Sequence, residues 1–280
     1  MFSIIIPTFN NLNYLKICLE SIKKNSKLKH EIILHVNNGS DGTLEYAKNN
    51  KLKFSYSNTN VGLCTAINTA AKLTNLDYIL YAHDDMYFCP DWDDYLKKEV
   101  DNIKHENFYL SGTMIEPNSG HIKLNCGEGF SDFDEQKLLG SYNEEIFFDH
   151  QGSHFAPHLV TKKMWDRVGG FSEEFNPGIG SDPDFNMKLW KNNVRIFKGI
   201  NTFRVYHFSS ITTRKKKEVI QNKGDLTFLL KWGISSKFFK KHYLRSETRY
   251  KGPLNEPKKN FLYFFDLIIC KLKLIYIKLL

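Results

Sequence analysis

Two acidic clusters and one histidine in this chain have types and spacings that could do chemistry. His83-Asp84-Asp85 follows the apolar run Tyr78 to Ala82, so its carboxylates fall at the end of a buried strand. Adjacent carboxylates repel unless a cation neutralises them, and hard divalent cations take oxygen ligands. A diphosphate could supply the remaining oxygens. The competing reading is a strand-end turn or a helix N-cap, because Asp91, Asp93 and Asp94 follow just after Pro90. Asp182 and Asp184 precede an amphipathic stretch containing Phe185, Leu189 and Trp190. Pro183 suits a first helical turn, which makes Asp182 the expected N-cap. A carboxylate there can still project a free oxygen into a cleft, so capping and proton-accepting roles are compatible. His207 closes the apolar run that starts at Phe203. It is either an ordinary strand-end histidine or a metal ligand, and an imidazole would suit Mn2+ better than Mg2+. His150, His154 and His158 form a looser cluster, for which substrate-facing positions compete with plain surface or core roles.

The elements that must position these groups alternate between strand and helix. Phe2 to Ile6 is an apolar, β-rich run ended by Pro7, and Tyr14 to Ile22 has helical spacing. Glu31 to Val36 is a second strand, stopped by the turn cluster Asn37 to Gly42. Leu44 to Ala47 begins a short helix for which Ser40 or Asp41 could be the N-cap. Phe54 to Ser57 is a weak third strand, Val61 to Leu73 is helical, and Tyr78 to Ala82 is a fourth strand. Such alternation implies βαβ units and a mostly parallel sheet, an α/β fold. In these sheets ligands sit beyond the carboxyl ends of the strands. Thr8 to Asn10, Asn37 to Asp41 and His83 to Asp85 all belong at that edge. Later residues are less regular. Two strands are expected around Pro117 to Gly120, a loop over 127–150, a helix over Asp182 to Lys191, and strands Val194 to Phe197 and Phe203 to His207. From Lys215 onward the chain reads as helical and basic.

Composition narrows the class. The chain has 280 residues with 41% hydrophobic and 14% aromatic content, too apolar for disorder and enough for a sizeable core. Five scattered cysteines without a C-x-x-C pair argue against a zinc ribbon or disulfide framework and fit a reducing compartment. Met1 to Pro7 lacks a basic n-region, so no cleaved signal peptide is expected. The net charge of +8 is uneven: residues 1–211 hold 22 basic and 26 acidic side chains, residues 212–280 hold 17 and 5. A uniformly basic nucleic-acid binder would not be built that way, whereas a protein with a cationic surface-docking tail would be. A nucleic-acid binder using the basic tail is a rival reading, against which the acidic first 211 residues and the absence of aromatic-basic interleaving around the strand-end loops weigh.

Seven motifs in order carry a family resemblance: S-I-I-I-P-T-F-N at Ser3 to Asn10, V-N-N-G-S-D-G-T at Val36 to Thr43, N-V-G-L-C-T-A-I-N at Asn60 to Asn68, H-D-D at His83 to Asp85, G-G-F at Gly169 to Phe171, S-D-P-D at Ser181 to Asp184 and V-Y-H at Val205 to His207. Over residues 2–210 the chain resembles a family-2 glycosyltransferase of GT-A fold. The resemblance implies residues 1–211 as the transferase domain, with a nucleotide-sugar-binding half (1–105) and an acceptor-binding half (106–211), followed by the basic tail 212–280. It implies a nucleotide diphosphate sugar donor, a UDP-sugar favoured, one sugar transferred with inversion to a hydroxyl of a glycan or lipid-linked acceptor, and a divalent cation, Mn2+ or Mg2+. The donor side would comprise Pro7, Thr8, Asn10, Asn38, Asn60, Gly62, Asn68, His83 and Asp84, with Asp85 and His207 on the metal and Asp182 as general base. Asp184, His154 and His158 would stand on the acceptor side.

Two departures stand out. The turn after the second strand is one residue shorter than the family's V-D-D-G-S-x-D-G-T and lacks both leading carboxylates, and His83 replaces the first Asp of D-x-D. An Asn amide can still pair with a pyrimidine edge. These departures make a non-catalytic nucleotide- or carbohydrate-binding scaffold the alternative. No Q-x-x-R-W motif or membrane span is present, which points away from a processive polysaccharide synthase.

Phe261 to Leu280 is a 20-residue apolar stretch interrupted by Asp266, Lys271, Lys273 and Lys278. A charge at a bilayer centre costs about 2.5 to 3.5 kcal/mol, so a span is disfavoured. A helix lying in the interface, helped by Arg214 to Lys217 and Lys237 to Lys241, is the expectation. Packing on the domain or on an oligomer partner is the competing one. A cytoplasmic chain, peripheral on the cytoplasmic membrane face, follows from these readings.

Overall fold

The computed structural model describes residues 1–152, 156–208 and 222–279. The expected βαβ alternation is present: β1 (Ser3–Phe9), α1 (Leu12–Asn25), β2 (Glu31–Asn37), α2 (Thr43–Asn49), β3 (Lys53–Ser57), α3 (Leu63–Ala71) and β4 (Tyr78–Tyr81). β5 (Met86–Phe88), α4 (Trp92–Asn102), β6 (Phe108–Glu116), β7 (Ile122–Lys123), α5 (Glu135–Ser141), β8 (His150–Gln151), β9 (His158–Thr161), α6 (Lys162–Val168), α7 (Ser181–Lys191) and β10 (Ile196–His207) follow. The main path of the sheet runs β3-β2-β1-β4-β9-β6-β10-β5, with β7 on β6 and β8 on β10. β1 pairs parallel with β2 and β4, and Ile4, Ile5 and Ile6 are fully buried because helices cover both faces of a parallel sheet.

Several local expectations are revised. Pro7 does not end β1, which continues to Phe9. Asp41 does not cap α2 as its N-cap residue. Gly42 holds that position at φ 95°, while Asp41 Oδ1 accepts from Thr43 N at 3.1 Å and Oδ2 accepts from Leu12 N at 2.9 Å, tying the starts of α1 and α2 together. The stretch 127–150 is not all loop, since it contains α5 with Asp134 as its N-cap. The two strands expected over 194–207 are one strand, β10, with an irregularity between Gly199 and Arg204. That bulge lets one strand pair with β8 in its first half and β5 in its second.

Residues 222–256 are packed onto the domain. Trp232 Nε1 donates to Asp184 Oδ1 at 2.8 Å, Asn222 brackets the backbone of Ile179, and Leu254 N donates to Arg195 O at 2.7 Å. The basic run Arg214 to Lys217 lies outside the described residues. The chain ends in the helix Phe261–Leu279.

Candidate active site

Strand register builds the charged centre. β5 pairs antiparallel with β10 so that His207 stands opposite Met86, and Phe208 N donates to Asp85 O at 3.1 Å. β6 pairs parallel with β10 on its other side, with Tyr206 beside Ile115. Glu116, the last residue of β6, therefore falls next to His207. Its Oε1 lies 2.6 Å from His207 Nδ1, and both side chains are buried. This contact fixes the imidazole so that Nε2 faces Asp85 Oδ1 at 3.4 Å. His83 Nδ1 is 3.9 Å from the same oxygen.

One ligand atom from each of His83, Asp85 and His207 lies within 4.8 Å of the others. Two ligands about 2.1 Å from a shared octahedral ion are separated by roughly 3 to 4.3 Å. Asp85 Oδ1 and His207 Nε2 are buried and neither makes a well-formed hydrogen bond. Two imidazoles and a carboxylate with such orphaned atoms fit a divalent transition metal. Burial would raise Asp85, but the neighbouring His207 holds it down at about 2. Burial would lower His207, yet Asp85 and Glu116 together carry it to about 10. His83, with a weaker carboxylate contact, is pushed by burial down to about 4 and stays a neutral donor.

Asp182 has the opposite environment. It lies in the first turn of α7, but the N-cap is Gly180 at φ 85°, so Asp182 is not the capping residue. Its Oδ1 is shielded from solvent and has no hydrogen-bond partner. Burial raises its carboxyl to about 7, with Lys240 pulling the other way. Tyr81 connects the two regions. Its buried phenol is pushed up first by burial and then by the charges of Asp182, Asp85 and Asp84, and its ring packs 5.3 Å from His83.

The other expected site residues divide into three groups. Pro7 and Thr8 are buried at the carboxyl end of β1, Thr8 Oγ1 without a hydrogen-bond partner, and Asn10 follows at φ 47°. Asp84 is buried beside Asp85. These residues stand at the sheet edge beside the charged centre.

A second group shapes loops. Asn38 sits at φ 61° with Oδ1 accepting from Ser40 N at 3.0 Å. Asn60 Oδ1 accepts from Gly62 N at 3.0 Å. Asn68, expected on the donor side, clamps the backbone of Phe171 instead. Its Nδ2 donates to Phe171 O and its Oδ1 accepts from Phe171 N, both at 2.8 Å. Gly170 is required there, because at φ 60° a Cβ would come within 2.4 Å of that amide oxygen. Gly62 makes a close approach to Asn176, not an open phosphate cradle, since a Cβ would lie 2.5 Å from that side chain.

The third group leaves the cleft. Asp184 is fully buried, its oxygens engaged by Ser172 Oγ at 2.6 Å, Trp232 Nε1 at 2.8 Å and Lys231 Nζ at 3.0 Å, so it anchors α7 and is not an acceptor contact. His158 is likewise a core residue, stacked among Tyr109, Phe171 and Phe185 and pushed by burial down to about 3. His154 lies outside the described residues.

Sequence reasoning missed Glu116, Tyr81, Lys240 and Asn176. Asn176 Oδ1 accepts from Cys64 N at 2.9 Å and caps α3 from the opposite half of the chain. Tyr81 alone carried a readable signal, as the polar aromatic two residues before His83.

Residues 3–159 match the family described as Glycosyl transferase family 2. The chain belongs to glycosyl transferase family 2. It is 25% identical over 234 residues to a chondroitin synthase of Pasteurella multocida (strain Pm70), a match covering 78% of this chain and 22% of that protein. This chain thus spans about a fifth of the length of that relative. Among solved structures, S. aureus TarS 1-349 in complex with UDP-GlcNAc superposes with TM-score 0.56 at 18% identity, covering 75% of this chain and 60% of that one. GalNAc-T7 with UDP, GalNAc and Mn2+ gives TM-score 0.57 at 15% identity, covering 80% and 44%. These neighbours bear out the GT-A fold.

Proposed function

We propose that this family-2 chain transfers one sugar from a nucleotide diphosphate sugar, with a UDP-sugar favoured, to a hydroxyl of a glycan or lipid-linked acceptor, with inversion at the anomeric carbon. The observation that carries the reading is the contrast between Asp85, whose Oδ1 lies 3.4 Å from His207 Nε2, and Asp182, whose Oδ1 is shielded from solvent without a hydrogen-bond partner, the charges of both acting on buried Tyr81. Environments that push two acids apart in this way assign them different roles. Support for the donor and the cation comes from the TarS structure, which holds UDP-GlcNAc, and from GalNAc-T7, which holds UDP and Mn2+. The chondroitin synthase relative supports a part in polysaccharide building.

His83, Asp85 and His207 would hold the cation, Mn2+ favoured over Mg2+ by the two imidazoles. When bound, it supplies positive charge beside the donor diphosphate. Thr8, Asn10, Asn38 and Asp84 line the donor side, and Glu116 keeps His207 aimed at Asp85. Asp182 takes the proton of the acceptor hydroxyl as that oxygen attacks the anomeric carbon. The carbon–oxygen bond to the diphosphate breaks on the opposite face, and the nucleoside diphosphate leaves with the electron pair. A carboxylate raised to about 7 is a stronger base than an ordinary one, which suits that task. An intact His-Asp-His centre and a poised Asp182 favour an enzyme over a degraded binding scaffold.

The same reading puts residues 212–280 against an anionic membrane surface, with the chain cytoplasmic and peripheral. Among the described residues no helix is long and apolar enough to cross a membrane. The test is a panel of nucleotide sugars with Mn2+ or Mg2+, read as nucleoside diphosphate release. Donor binding without release under every pairing, with acceptor present, would leave the scaffold standing.

A further inference from the structure

We infer that the outward face of the C-terminal helix seats on an anionic lipid bilayer, and that this turns the α7 side of the cleft toward the membrane, making the acceptor a membrane-borne hydroxyl. The second half of this inference rests on the transferase reading above, whereas the first does not.

The helix Phe261–Leu279 has two apolar faces. Tyr263, Leu267, Cys270, Leu274 and Ile277 form one stripe packed on the domain. Phe261, Phe265, Ile268, Leu272, Ile275 and Leu279 recur every three or four residues on the opposite stripe, and all are exposed. Ten of the fifteen large exposed apolar side chains of the described chain belong to this helix. At 1.5 Å per residue the stripe is about 28 Å long, far beyond the scattered apolar groups of an ordinary surface.

Charge selects the occupant. Residues 222–279 carry 13 Lys and Arg against 4 Asp and Glu. The one acid on the helix, Asp266, is engaged by Lys241 at 2.6 Å and His242 at 2.7 Å. At 100° per residue, Lys271 and Lys273 leave the helix on opposite flanks of the outward stripe. This is the layout of a helix lying in a bilayer interface, where apolar residues enter the acyl boundary and flanking lysines meet anionic headgroups. A second copy stacked on the same face would bring like charges together.

Orientation follows from the inner face. Tyr263 packs 5.1 Å from Phe238, and Cys270 Sγ accepts from Ser235 N at 3.4 Å. Lys231 and Trp232, just upstream, hold Asp184 of α7, two residues from Asp182. A short chain of packed contacts thus links the bilayer-facing helix to the helix carrying the acceptor base. α2 and the donor-side loops have no such link among these contacts.

Sedimentation of the full chain with vesicles of phosphatidylglycerol and phosphatidylcholine tests the docking. Partition should be strong with phosphatidylglycerol and at least tenfold weaker with phosphatidylcholine alone. Phe265→Ser with Leu272→Ser, and separately Lys271→Glu with Lys273→Glu, should each weaken it at least tenfold. No sedimentation with anionic vesicles overturns the docking, as does a dimer in light scattering that Leu272→Ser dissolves. A fluorophore on Ile179→Cys should be quenched more by a headgroup nitroxide than one on Lys48→Cys, and equal quenching overturns the orientation. Nucleoside diphosphate release from UDP-N-acetylglucosamine with Mn2+ is read on the same samples. Release without vesicle binding sinks the docking alone, and vesicle binding without release from any donor of the panel sinks the transferase reading alone.

Discussion

The strand-end centre and the first turn of α7 hold the two aspartates that matter most, and they treat them in opposite ways. Asp85 is enclosed by two imidazoles, and the charge on His207 outweighs burial and keeps it ionised down to about pH 2. Asp182 has an Oδ1 shielded from solvent with no hydrogen-bond partner, and burial outweighs the pull of Lys240 and lifts it to about 7. The difference shows that burial alone does not set a carboxylate's role. What decides it is whether a counter-charge sits in contact with it, as His207 does for Asp85, or only acts on it without an ion pair, as Lys240 does for Asp182.

Breaking the paired side should have the largest effect. Asp85→Ala should lower metal-dependent turnover by about three orders of magnitude or more, because the cation loses its only carboxylate in this cluster and the diphosphate its counter-charge. Unchanged kcat and an unchanged metal response would remove Asp85 from the centre. Breaking the desolvated side comes next. Asp182→Asn should slow transfer by roughly 10^2 to 10^4 while donor binding, followed calorimetrically, is retained. Wild-type transfer in that variant would reassign the base.

Sharper probes ask how each environment is maintained. Glu116→Gln should weaken Mn2+ binding, read by electron paramagnetic resonance of free Mn2+, by roughly 10- to 100-fold, as expected when the partner of a ligating histidine is lost. Donor-free Mn2+ affinity equal to wild type would leave Glu116 a purely structural residue. The pH dependence of turnover should rise through about 7 as Asp182 loses its proton. Because Lys240 lowers Asp182, Lys240→Met should move that limb upward by less than about one unit, the smallest effect here. A limb near pH 4 would contradict the buried setting.

Stability provides a companion sign. Asp182 is raised above its unfolded value of 3.8, so the native state keeps a proton that the unfolded chain has lost between about pH 4 and 7. Its stabilising share is therefore complete below pH 4 and is lost as pH rises through 7. Asp182→Asn should melt higher than wild type at pH 8 and no higher at pH 3.5. An equal melting temperature at both would show that Asp182 is solvated.

Much of this organisation is legible in the amino-acid sequence. The parallel half of the sheet follows from continuous apolar runs such as Ile4 to Ile6 and Ile32 to Leu34, which only doubly covered strands can bury. The polar clusters after β1, β2 and β4 fall at one edge because parallel strands share one carboxyl end. Other features were not legible. Asn68 and Asp184 look as chemical in sequence as Thr8 and Asp182, yet one clamps Phe171 and the other anchors Trp232. A side chain's partner 48 or 103 residues away leaves no local trace.

Residue type and order by themselves determined that the first strands of this chain pair in parallel, with carboxylates and a histidine at strand ends, because apolar periodicity and strand-end polarity are local properties. The antiparallel β9 and β5 in the same sheet were not so determined. Tertiary structure alone decided that Glu116 orients His207, that the charges of Asp85 and Asp182 both reach Tyr81, and that the lysine-rich end packs against α7 with an apolar stripe facing out. Each of these depends on strand register, burial or counter-charge, quantities set by residues distant in sequence that meet only when the sheet closes.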